Sequence, residues 1–231
     1  MPYPLGLLPT PEVQADRAAF GLPEAATVTA IIFNLAGSLT RKNPLAGIAA
    51  HKRAFGADPD QLLVIKISGA AAFPREAAAV AAAAADAPNI RVFSGDWPPA
   101  RLANFLACAD ILLSLHRAEG FGLVPAQAMF CGIPVVATGW SGNLAYMDET
   151  SAALAGYELV PLADPTGIYP PLPGALWAAP DIAHAAELLR ALGGDPAARA
   201  ALGARGRAYA ARALIGDALA AALAANGIDA P

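Results

Sequence analysis

A chain of 231 residues with 56% hydrophobic and only 15% charged residues has the material for one sizeable core, although much of its apolar content is alanine, which favours helix and buries little area per residue. Its net charge of −4 gives no basic footprint for nucleic acid or an anionic membrane. The alanine-rich run from Ala77 to Ala85 is too short to span a bilayer, the proline-broken N-terminus lacks a basic leader, and Cys108 and Cys131 stand isolated in apolar contexts. These features predict buried free thiols in a reducing compartment and a cytoplasmic protein with at most peripheral membrane contact.

In chain order, residues 1–20 read as a linker ending in Phe20-Gly-Leu-Pro23. Short apolar, β-branched runs predict strands at 27–33, 61–67, 90–94, 110–115, 134–138 and 157–161. Helical patterns fall at 44–55, 74–86, 98–108, 122–131, 141–147, 181–192 and 197–223. The proline-rich stretch 162–180 reads as an ordered surface loop, and residues 196–231 as a C-terminal helical extension of a domain at 21–195. Strands alternating with helices predict an α/β fold with a parallel sheet and helices on both faces. Ligands of such sheets settle at the carboxyl ends of strands, where Lys42, Gly95 and Glu119 fall.

The segment from Ser114 to Thr138 carries the most chemistry. Two apolar strands flank a helix that should start near Leu123, tolerate Pro125 in its first turn and end at Gly132 as a left-handed cap. Glu119-Gly-Phe-Gly122 therefore sits between a strand end and a helix start, where unpaired backbone N–H groups favour a phosphate and glycine lets the backbone approach it. The plain alternative is a strand-loop-helix connection with Glu119 as a solvated charge.

This segment resembles the signature of GT-B glycosyltransferases, in particular the retaining family 4 (group 1) type that uses nucleotide-sugar donors. The resemblance implies a Rossmann-like half of a GT-B enzyme. Carried over by position, Glu119 matches the active-site glutamate that contacts donor sugar hydroxyls. Gly120, Phe121, Gly122 and Leu123 match the backbone lining the sugar and diphosphate. Gln127 falls where the family has a second glutamate on the ribose, a departure that replaces a charge-assisted bond with a neutral one roughly half as strong. The strand 27–33 and the loop to Pro44 match a second block, in which Lys42 takes the place of the diphosphate-binding lysine. Ala36 stands where many relatives carry an arginine, so Arg41 or Ser38 is the substitute. Adjacent cations before a helix also fit a solvated surface pair.

Other motifs are weaker. Gly139-Trp-Ser-Gly142 lacks the spacing of a hydrolase nucleophile turn because position 143 is Asn, and Ser141-Gly-Asn143 reads as a helix cap or as a loop near the donor. His51, His116 and His184 are scattered without metal-ligand spacing, so no metal site is expected. His116 and Arg117 fit either donor contacts or a packed histidine beside a surface arginine, and Lys66 either snorkels or reaches a phosphate.

The resemblance covers only the donor-binding half, roughly residues 18–212. It implies a UDP-, GDP- or ADP-sugar as donor substrate, metal-independent chemistry, no resident cofactor, and a separate acceptor-binding domain or self-association. A non-catalytic interaction module derived from such a domain is the alternative, suggested by Gln127 and Ala36.

Overall fold

The computed structural model describes residues 15–216. Its elements in chain order are β1 (Thr27–Asn34), α1 (Leu39–Lys42), α2 (Pro44–Phe55), β2 (Gln61–Ser68), α3 (Pro74–Ala84), β3 (Ile90–Ser94), α4 (Pro99–Ala107) and β4 (Ile111–Ser114). There follow α5 (Leu123–Phe130), β5 (Val135–Thr138), β6 (Ala153–Ala155), β7 (Tyr157–Pro161), β8 (Leu176–Pro180), α6 (Ile182–Gly193) and α7 (Pro196–Ala211). Six strands form one parallel sheet in the order β3-β2-β1-β4-β5-β6. This is the expected Rossmann-like α/β architecture.

Strand period 2 divides the core into two layers. Val28, Ala30, Leu62, Val64 and Leu112 face one side with Phe105 of α4 and Met129 of α5. Ile31, Phe33, Leu63, Ile65, Ile67, Ile111 and Leu113 face the other with Ile48 of α2, Val80 of α3 and Leu189 of α6. Both faces are covered, which is why β2 reads as an almost unbroken apolar run. At the amino-terminal side, Arg17 donates to the Pro23, Glu24 and Ala26 carbonyls and to Asp110, whose carboxylate also accepts from Val28 N at 2.7 Å. Phe20 is buried against Phe105 and Trp97.

Several expectations are corrected. Residues 157–161 do form a strand, but it pairs antiparallel with β8 in a separate two-stranded sheet. The sixth strand of the main sheet is instead the short Ala153-Leu-Ala155, which has too few residues and no β-branched side chain to announce itself. The proline-rich stretch is not all loop, since β8 occupies its last five residues. In place of a helix at 141–147 there is a short 3-10 turn, Gly142–Ala145, because the backbone there must press against the loop carrying Glu119. Cys131 stands at the C-cap of α5 and is exposed, while Cys108 is buried as expected. Lys66 does not snorkel. It is fully buried, and its Nζ donates to the Ile67 and Gly95 carbonyls and to Ser68 Oγ while lying over the Trp97 ring. The helix expected to run to residue 223 is described as far as a π-turn at Arg212–Gly216, the remainder lying outside the described residues. No helix among the described residues is long and apolar enough to cross a membrane.

Candidate functional site

The chain runs from β1 outward to β2 and β3, then returns to place β4 on the opposite side of β1. The connections after β1 and β4 therefore diverge, and the crevice between their carboxyl ends is the topological switch point where ligands of such sheets bind. The residues that the family resemblance marks as donor-binding, Ser38, Arg41, Lys42, Glu119–Leu123 and Gln127, lie on these two connections or on α5, which continues the second.

After β1, the Asn34 side chain accepts from Ala36 N and caps a 3-10 turn at Leu35–Gly37. Ser38 and Asn43 then take positive φ values of 69° and 51°, so the chain reverses twice around the four-residue α1 and presents Arg41 and Lys42 on its last turn. Asn43 Nδ2 donates to the Leu115 carbonyl at 2.9 Å, which ties this loop to the end of β4. Ser38 Oγ accepts from Arg41 N and donates to Asp164 Oδ1 at 3.0 Å. Its side chain is fully buried.

Glu119 is brought to the two cations. Arg41 Nη1 donates to Glu119 Oε2 at 3.1 Å and to the Ala118 carbonyl at 2.8 Å, while Arg41 Nε donates to the Gly37 carbonyl. Lys42 Nζ donates to Glu119 Oε1. The Glu119 side chain is only 8% exposed, so it is not the solvated loop charge of the plain alternative, and Arg41 and Lys42 are not a solvated pair. Burial alone would raise the Glu119 carboxyl, but the adjacent Lys42 ammonium and Arg41 guanidinium outweigh it and hold the group below the usual carboxylate range. Arg41 and Lys42 together outweigh the single charge of Glu119 where the three side chains meet.

The Glu119–Leu123 loop is fixed by the segment after β5. Glu119 N donates to Ser141 Oγ at 2.8 Å, Gly142 N donates to the Glu119 carbonyl at 3.0 Å, and Tyr146 Oη donates to the Gly122 carbonyl at 2.6 Å. The Phe121 and Tyr146 rings meet at 4.9 Å. A Cβ on Gly142 would lie 2.1 Å from the Gly120 carbonyl oxygen, so only glycine permits this contact. Ser141 thus serves the loop near Glu119 and makes no helix cap. Gly122 has φ 86°, and α5 starts at Leu123 with its first N–H groups pointing into the crevice end of the helix, where the dipole is positive.

His116 supports this frame from below. It is fully buried, its Nε2 faces the Trp140 carbonyl and Asn143 Oδ1, and its Nδ1 faces Ser114 Oγ. Two carbonyl acceptors on one side assign the proton to Nε2 and make Nδ1 the acceptor of the serine hydroxyl. Burial keeps the ring neutral by pushing its pKa down. Arg117 is not a surface arginine, because its guanidinium lies over the Trp177 ring of β8 and its Nη1 faces the Ala178 carbonyl. Gln127 is half-buried on α5, and its amide makes no hydrogen bond with the described residues. Tyr146, Asp164 and Tyr169 are the residues near the site that sequence reasoning missed. Only Asp164 carried a signal, the Asp-Pro-Thr-Gly turn at 164–167.

The family identity is decided by comparison with known proteins. The chain matches, over residues 2–210, the family described as family 4 glycosyltransferase in conflict systems. The chain belongs to that family. It is 32% identical over 157 residues to a D-inositol 3-phosphate glycosyltransferase of Segniliparus rotundus, covering 65% of this chain and 33% of that protein. It is 31% identical over 208 residues to a GDP-mannose-dependent monoacylated alpha-(1-6)-phosphatidylinositol monomannoside mannosyltransferase of Corynebacterium glutamicum, covering 87% of this chain and 47% of that protein. Among solved structures, the C-terminal domain of a group 1 glycosyl transferase from Francisella tularensis matches with a TM-score of 0.61 at 16% identity, over 89% of this chain and 96% of that one. This family 4 chain is a GT-B glycosyltransferase domain, and it spans less than half the length of either curated relative.

Proposed function

We propose that this domain binds the donor of a retaining glycosyl transfer, a nucleoside diphosphate sugar, in the crevice between β1 and β4. One observation carries the reading: Arg41, Lys42 and Glu119, from two connections 77 residues apart, converge at the switch point beside the start of α5. In this reading Lys42, Arg41 and the N–H groups at the start of α5 face the diphosphate. They stabilise the charge that develops on it as the glycosidic bond breaks, which is electrostatic catalysis by groups already in place. Glu119 faces the sugar hydroxyls and keeps its charge through its cationic neighbours. In the free domain Lys42 is engaged by Glu119, so a donor exchanges one anionic partner of Lys42 for another.

Transfer further requires an acceptor hydroxyl held at the anomeric carbon with water excluded, an ordering worth roughly 7–11 kcal/mol of barrier. In this reading the crevice supplies the donor groups, and acceptor positioning falls to a second domain or partner. The chain by itself is therefore expected to bind donor and turn it over slowly. Gln127 supports the second reading, a module that has kept the fold without the donor, because the residue placed at the ribose carries no charge. Calorimetric titration with UDP, GDP, ADP and their hexose conjugates separates the two. Saturable binding of one nucleotide family supports the donor reading, and silence across the set rejects it in favour of the module.

A further inference from the structure

The strap between β7 and β8 reaches the site from the separate two-stranded sheet. Its neck is held firmly: β7 and β8 pair from Tyr157↔Pro180 to Pro161↔Leu176, Leu162 N donates to the Ala175 carbonyl, and Ala178 N donates to the Arg117 carbonyl at 2.8 Å. The loop beyond the neck, residues 162–175, reaches the donor crevice through two contacts. Asp164 accepts from Ser38 Oγ at 3.0 Å, and the Tyr169 ring lies 5.6 Å from the Arg41 guanidinium carbon. Asp164 is preset for this role. Its carboxylate also accepts from Thr166 N, Thr166 Oγ1 and Tyr169 N, and the turn closes through Gly167 N on the Asp164 carbonyl. Although burial acts to raise it, these donors hold the Asp164 carboxyl below its ordinary range, so an anion rests on Ser38 at neutral pH.

The consequence is steric and electrostatic together. Ser38 is fully buried, and the Arg41 side chain is 13% exposed. An incoming phosphate finds a carboxylate already seated on the hydroxyl, and like charges do not share such a site. We infer that the loop 162–175 is a latch on the donor seat, in which Asp164 occupies on Ser38 the place of a donor phosphate oxygen and Tyr169 covers Arg41 until the diphosphate displaces both. The neck stays attached to Arg117 while the tip swings, so opening breaks few contacts and leaves the sheet intact. This inference rests on the donor reading, and the latch regulates that same site by charge competition.

The test compares the wild-type chain with Asp164→Ala and Tyr169→Leu, two substitutions that release the same loop from different points, by titration with UDP, GDP and ADP and by hydrogen exchange over 162–175. Both variants should bind the preferred nucleotide about five- to tenfold more tightly, the gain when a competent state populated at about 10–20% becomes dominant. Exchange in the loop should rise in both variants and, on adding nucleotide, in the wild type. Unchanged or weaker nucleotide binding in the variants, with wild-type binding intact, overturns the latch and leaves the donor seat standing. Absence of binding in all three proteins overturns the donor reading itself and the latch with it.

Discussion

Gly142 is where the geometry of the crevice is most sharply exposed to a single substitution. In Gly142→Ala the new Cβ would lie 2.1 Å from the Gly120 carbonyl oxygen, 2.5 Å from its carbon and 2.7 Å from the Glu119 carbonyl oxygen. All three are backbone atoms, so no rotamer change relieves the clash, and the Glu119–Gly122 loop must retreat from the segment after β5. Retreat costs the Gly142 N–H bond to Glu119 and strains those of Ser141 and Tyr146. Overpacking of this kind destabilises by about 1–3 kcal/mol, and for a chain of this length each kcal/mol lowers Tm by roughly 2–4 °C. Because the displaced loop carries Glu119 and leads into α5, nucleotide affinity should fall by about tenfold or more even where the fold is retained. Thermal denaturation and calorimetric titration of the purified variant measure both effects. Wild-type Tm together with wild-type affinity would refute the proposed interlock between the two loops.

Lys42→Ala should weaken nucleoside diphosphate binding by about 1–3 kcal/mol, the loss of one charge-assisted bond, as read by calorimetry on a variant with native circular dichroism. Gln127→Glu should tighten ribonucleotides by about 1 kcal/mol and deoxyribonucleotides by less, since vicinal hydroxyls donate better to a charged acceptor; equal gains would mean that the position does not face the ribose. His51 is fully buried, and burial lowers its pKa from 6.5 to about 4, against a weaker opposing effect of the Gln61 backbone. The unfolded chain therefore takes up a proton that the folded chain refuses, so stability should be flat above pH 6.5 and fall between there and pH 4, by up to about 3 kcal/mol. Denaturant midpoints across that range should show the slope in the wild type, and His51→Gln should reduce it, leaving the part contributed by His116, whose pKa burial also lowers.

The central strands were legible because a strand covered on both faces has to be an apolar, β-branched run, and β1, β2 and β4 are written that way. β6 was not, since Ala153-Leu-Ala155 has the composition of a helix and becomes a strand only by pairing with β5. β8 was hidden by the prolines before it, and its pairing with β7 depends on a contact across a 14-residue loop, 162–175. At the site, local chemistry was readable: the glycines around Phe121, the helix start at Leu123 and the lysine before Pro44. What joined them was not, because the approach of Arg41 to Glu119 follows from the placement of β1 beside β4. Tyr146 and Asp164 act through single bonds to Gly122 and Ser38, and neither pairing leaves a trace in spacing.

The donor seat is tested most directly by backbone amide chemical shifts of the 231-residue chain titrated with the nucleoside diphosphate it prefers. The account predicts that the largest changes fall on residues 38–42 and 119–124, with smaller ones at 164–169 as the loop yields, all saturating along one binding curve. Saturable changes that leave 38–42 and 119–124 unmoved, or no changes with UDP, GDP or ADP, would contradict it.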